Sequence, residues 1–175
     1  MQRLALGILA SVLALAGCGG SMAAMAGEPP EFTHTKPAEW INSEPLSLAA
    51  LRGKPVLIEF WTFDCYNCRN TLPWLKAMHA EYGAKGLTIV SVHTPELPQE
   101  RIPANVRAAV QRLAITWPVM IDGDFSYWQA LSNRYWPAFY LVDAEGQLVA
   151  SAFGELHRGT SRGDAMEAAI RERLP

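Results

Sequence analysis

The chain has 175 residues, half of them hydrophobic and 18% charged, with a net charge of −2 at neutral pH. This suits one folded domain behind a short processed segment. No basic stripe argues for nucleic-acid binding, and no acidic block argues for a disordered tail.

At the N-terminus, Arg3 precedes an apolar run over residues 4–16. That run is shorter than the roughly 20 apolar residues of a bilayer-spanning helix, so it reads as a signal peptide. It ends in Leu15-Ala16-Gly17-Cys18. Two small residues let the chain enter a signal-peptidase groove. The cysteine after them resembles that of the bacterial lipobox, whose thiol receives a diacylglyceryl group. An ordinary secretory signal with a stray cysteine is the competing reading. The expectation is a signal peptide over residues 1–17, lipid on Cys18, a flexible tether over 18–38 and a folded domain over 39–175. The tether reading rests on Gly, Ala, Met and Pro without periodicity. Of the three cysteines, two then remain as a pair.

Within the domain, Leu46, Leu48 and Leu51 make a short entry element before a turn at Gly53. Residues 55–61 form a nearly continuous apolar run, as a strand buried on both faces does. From Asn70 the pattern is helical, with Leu72, Leu75, Met78 and Tyr82 at steps of three and four. Gly83 and Gly86 end that helix. Residues 87–92 are a second buried strand. Val106, Ala109, Val110 and Leu113 mark another amphipathic helix. Residues 117–122 read as a short strand and residues 125–133 as a brief helix. Residues 139–153 read as a hairpin about Gly146, and Met166, Ala169, Ile170 and Leu174 as a closing helix. This order predicts an α/β fold with a mixed central sheet flanked by helices.

Cys65 and Cys68 sit where the first buried strand hands over to a helix. Cysteines three apart on a first helical turn have Cα atoms about 5 to 6 Å apart, within disulfide reach. The helix N-terminus stabilises a thiolate on Cys65, the attacking species in exchange. Cys68, one turn deeper, is placed to resolve the mixed disulfide. Other readings compete. A zinc site lacks a second pair of ligands. A permanent structural disulfide closing so short a loop stabilises little. Haem attachment needs a histidine after Cys68, where Arg69 stands.

Three stretches together resemble the thioredoxin superfamily, in particular its TlpA-like branch and the thioredoxin-like domain of DipZ-type proteins. They are Phe60-Trp61-Thr62-Phe63-Asp64-Cys65-Tyr66-Asn67-Cys68, Val92-His93-Thr94-Pro95-Glu96 and Asn133-Arg134-Tyr135-Trp136-Pro137-Ala138. The resemblance runs over about residues 40–174 and implies a thioredoxin fold. It implies that Pro137 is the family's cis-proline facing the cysteines. Trp136 would then pair its backbone with an extended substrate and narrow the groove. Glu59, six residues before Cys65, matches the buried acid that moves protons at the deeper cysteine. Among Val56, Leu57, Ile58 and Phe60 its carboxyl is expected to be desolvated and its pKa raised. Pro73 matches the kinking proline of the helix. Trp61 is assigned to the groove, with core packing as its competing reading, and Tyr66 and Asn67, also assigned there, are expected to tune the redox potential. His93 and Glu96 are read as structural before groove-bordering.

The expected function is reduction of protein disulfides in the cell envelope through a Cys65–Cys68 dithiol, with no metal and no cofactor. The resemblance implies a CcdA- or DsbD-like transmembrane thiol carrier as electron donor and apocytochrome c maturation as one setting. The lipid on Cys18 implies a membrane surface on the periplasmic side. A dithiol oxidant, a thiol-dependent peroxidase and a non-catalytic thioredoxin-like adaptor are the alternatives.

Overall fold

The computed structural model describes residues 27–175. The expected signal peptide and Cys18 lie outside the described residues. In chain order the elements are β1 (Trp40–Ile41), β2 (Val56–Trp61), α1 (Tyr66–Tyr82), β3 (Thr88–His93), α2 (Pro103–Arg112), β4 (Val119–Ile121), α3 (Ser126–Ala130), β5 (Ala138–Val142), β6 (Leu148–Phe153) and α4 (Ser161–Arg171).

The strands form one mixed sheet in the order β1-β4-β3-β2-β5-β6. The apolar run of β2 lies at its centre, with all six residues buried. It pairs in parallel with β3, from Val56 opposite Thr88 to Trp61 opposite His93. It pairs antiparallel with β5, from Val56 opposite Val142 to Phe60 opposite Ala138. Side chains alternate across the sheet. Leu57 and Trp61 therefore join Leu75 and Met78 of α1, Val106 and Val110 of α2, and Met166 and Ile170 of α4 in one core. Val56, Ile58 and Phe60 join Phe32, Trp40, Tyr127 and Tyr140 in the other.

That second core corrects the tether boundary. The part of the expected tether from Gly27 onward packs on the sheet. Phe32 is buried, with its ring 5.5 Å from Trp40 and 5.1 Å from Tyr127. His34 is buried and its Nε2 lies 3.1 Å from Asp122 Oδ1. A single aromatic filling the sheet face outweighs the loop-like composition around it, because burying a Phe side chain is worth about 2 kcal/mol. The same packing creates β1, a two-residue edge strand too short to leave a periodicity. Elsewhere the expected elements are present. The strand read over 117–122 narrows to β4, and Trp117 before it is buried. Pro73 lies inside α1, where it lacks the N–H of a helical hydrogen bond. Gly86 follows α1 with φ +109°, a left-handed conformation that favours glycine.

Candidate active site

The end of β2 and the start of α1 bring the cysteines together. Cys65 is the N-cap of α1, and its Sγ accepts a hydrogen bond from the Cys68 backbone N–H at 3.1 Å. The two form a disulfide with a Cα separation of 5.3 Å. Cys65 is half-buried, Cys68 buried, and Tyr66 and Asn67 between them are exposed. Tyr66 leaves 68% of its surface open at this turn, so a partner meets Cys65 and this ring first. With the pair reduced, the helix N-terminus would favour thiolate on Cys65, and Cys68 would lie behind it.

Beneath the pair, Glu59 is wholly buried. Ser91 Oγ donates to Glu59 Oε2 at 2.5 Å, and Trp117 Nε1 donates to Ser91 Oγ at 2.8 Å. Desolvation pushes the Glu59 carboxyl up to about 7 against that hydrogen bond. Glu59, Trp61 and Cys68 line one cavity of about 10 Å³, with Leu72, Leu113 and Ile115. That is room for about one water. Trp61, expected at the groove, is buried in the core beneath α1 and faces this cavity instead. The alternation of β2 places it on the same face as Glu59.

The β2–β5 register places Trp136 and Pro137 at the end of the sheet where β2 leads to the cysteines. The Trp136–Pro137 peptide bond is cis. Trp136 is half-buried, its ring 4.2 Å from that of Trp128, and its Nε1 donates to Thr94 O at 3.0 Å. Tyr135 beside it is exposed and its ring lies 5.6 Å from Phe153.

His93 is fully buried, with Nε2 3.2 Å from Thr62 Oγ1 and its ring stacked on Phe63. Burial lowers its pKa to about 4, so the ring is neutral near pH 7. Glu96 is exposed beyond β3. Three contributors escape a reading of the sequence alone. Ser91 and Trp117 hold Glu59, and Glu100 holds the cysteine turn. Glu100 Oε1 accepts from the Asp64 N–H at 3.0 Å, and its Oε2 accepts from Glu96 and Leu97 N–H at 2.8 and 2.7 Å. Its one sequence signal is a glutamate at the third position of a helical turn that starts at Pro98.

The chain matches the Redoxin family over residues 28–169. It is 40% identical over 119 residues to protein DipZ of Mycobacterium tuberculosis, covering 66% of this chain and 17% of that protein's length. It is 32% identical over 119 residues to the thiol-disulfide oxidoreductase YkuV of Bacillus subtilis, covering 68% of this chain and 78% of that one. Among solved structures, a thioredoxin-like protein in its oxidized form superposes with a TM-score of 0.70 at 28% identity, covering 84% of this chain and 95% of that one.

Proposed function

The chain belongs to the Redoxin family, within the thioredoxin superfamily, and from that premise we propose that it reduces protein disulfides in the cell envelope. Its class is thioredoxin-like thiol–disulfide oxidoreductase. The observation that carries the proposal is the placement of the pair: a half-buried N-cap Cys65 beside the exposed Tyr66 and Asn67, a buried Cys68 behind it, and Glu59 below. In the proposed cycle the Cys65 thiolate attacks a partner disulfide and forms a mixed disulfide, releasing one partner thiolate. Cys68 then loses its proton toward Glu59 and attacks Cys65. The partner leaves as a dithiol and the enzyme as the Cys65–Cys68 disulfide. Tyr66, Asn67, Trp136 and Pro137 form the proposed substrate groove, into which an extended segment adds as a strand.

A reductant in an oxidising compartment needs a continuous donor. A CcdA- or DsbD-like transmembrane thiol carrier fills that role, with proteins of cytochrome c maturation as one substrate class. Lipid on Cys18 would bring enzyme and donor to one membrane and raise their effective concentration. Among the described residues no helix is long and apolar enough to cross a membrane.

The test is equilibration with glutathione buffers alongside insulin reduction. The expected potential lies nearer the roughly −270 mV of thioredoxin than the roughly −120 mV of the oxidant DsbA. A value at the oxidant end would reverse the proposed direction. Intact-mass analysis of the exported protein tests the lipid, and an unmodified Cys18 would remove it from the account.

A further inference from the structure

The short helical turn over Pro98–Arg101 carries a buried carboxylate to the edge of the redox turn. Glu100 is 1% exposed. It receives N–H groups from its own loop, at Glu96 and Leu97, and from Asp64, 36 residues away in sequence. Asp64 immediately precedes Cys65. Among the described residues no cation forms an ion pair with Glu100. Burial alone would raise its pKa, but the Thr62 hydroxyl and the backbone N–H groups of Asp64, Leu97 and Glu96 outweigh it and hold the carboxyl below its ordinary range. Glu100 is therefore anionic near pH 7.

We propose that Glu100 is a positioning residue of the dithiol: it pins the turn leading into Cys65 and sets a fixed negative charge beside it that keeps the pair reducing. The inference rests on the dithiol reading above and deepens it. A buried anion near Cys65 opposes the thiolate there, whereas the N-terminus of α1 favours it. A less stabilised thiolate makes the dithiol less favoured against the disulfide, and a reductant needs that balance. The other charges at this turn are more exposed and better screened. Asp64 and Arg69 leave 38% and 44% of their side chains open and lie 4.0 Å apart. Arg69 Nη1 donates to Phe63 O at 3.3 Å. His93 on the inner side is neutral. Glu59, beneath Cys68, is a second buried carboxyl and is only partly ionised near pH 7. Among the described residues Glu100 is the buried carboxylate bonded to the backbone that leads into Cys65.

Glu100→Gln keeps the shape and removes the charge, and Glu100→Asp keeps the charge and shortens its reach. The measured equilibrium converts the protein disulfide and two glutathione thiols into the protein dithiol and one glutathione disulfide. With Glu100→Gln this constant should rise about tenfold, which is about 30 mV toward the oxidant side. Iodoacetamide labelling of reduced Cys65 should move to lower pH, with several-fold more thiolate at a fixed mildly acidic pH. Glu100→Asp should keep the wild-type labelling profile and lose several-fold in insulin reduction. If Glu100→Gln unfolds, Glu100→Asp decides, and a wild-type rate there overturns the proposal. Folded variants that are less heat-stable but keep the wild-type equilibrium and labelling profile would make Glu100 a structural anchor and overturn it equally. Wild-type protein that fails to reduce insulin would sink the dithiol reading itself, and the equilibrium and labelling data would still decide Glu100.

Discussion

The Glu59 carboxyl and Cys68 line the same small cavity beneath α1, and Ser91 Oγ holds the carboxyl from its other side. Desolvation raises the Glu59 pKa to about 7. Its folded value thus exceeds its ordinary value of 4.5, so the linked stability is complete below about pH 4.5 and is lost as pH rises through about 7. Glu59→Gln removes that loss. The variant should match wild type near pH 4.5 and exceed it by about 2 to 3 kcal/mol above about pH 8 in urea unfolding. Disulfide exchange should slow at least about tenfold, because Cys68 would lose its proton acceptor. Equal pH profiles for the two proteins would remove Glu59 from the account.

Cys65 should be the nucleophile and Cys68 the resolver. Cys68→Ser should accumulate mixed disulfides with envelope proteins or with oxidised insulin, seen as added mass that dithiothreitol removes. Cys65→Ser should not. In the reduced wild-type protein, iodoacetamide at mildly acidic pH should label Cys65 first, since thiolate character at a helix N-terminus controls reactivity. Earlier labelling of Cys68 would reverse the roles.

The legible parts of this site are local. A run of six buried residues on β2, two cysteines at the next helix start and a tryptophan–proline pair before a hairpin all lie within short stretches, and the pattern carries them. Glu59 was readable because an acid inside an apolar strand has few explanations. The partners that govern it are not local. Ser91 lies 32 residues away, and its bond depends on β2 and β3 lying in one register. Glu100 reaches Asp64 across 36 residues, and Asp122 reaches His34 across 88. The face of Trp61 is set by strand alternation, which a nearly all-apolar run hides. Phe32 stands among residues that resemble a linker, and one buried ring has no periodicity.

The segment before β1 should behave as core. Phe32→Ala removes a ring packed on Trp40 and Tyr127 and should cost about 3 kcal/mol, or about 10 °C in Tm by calorimetry. A chain begun at Glu39 should lose at least as much, whereas one begun at Gly27 should keep all the described packing. A chain begun at Glu39 that melts with the longer one would restore the tether reading.

The anchor of that same segment should make stability depend on pH through His34. Its Nε2 lies 3.1 Å from Asp122 Oδ1 and 3.3 Å from Asp124 Oδ1, and its Nδ1 lies 3.5 Å from Glu39 Oε1. The hydrogen bond to Asp122 raises the His34 pKa above its ordinary value, against a smaller opposing effect of burial. Asp122 is wholly buried, and it also accepts from Thr94 Oγ1 and from the N–H groups of Tyr127 and Trp128. Losing the imidazolium therefore leaves that carboxylate bound to the fold but without a cation. A raised folded pKa means that the stabilisation is complete below about 6.5 and is lost as pH rises through the folded value. Glu59 loses stability over a neighbouring window, so the two must be separated by substitution. In a Glu59→Gln background, His34→Gln should flatten what remains of the fall in Tm between about pH 6 and pH 9. It should also lower Tm at the acidic end, where the ion pair is intact. His93 acts the other way, because its pKa is lowered to about 4 and its penalty falls between about 4 and 6.5. It therefore leaves the alkaline limb untouched. An alkaline limb that keeps its slope after both substitutions would show that the His34–Asp122 pair does not govern it.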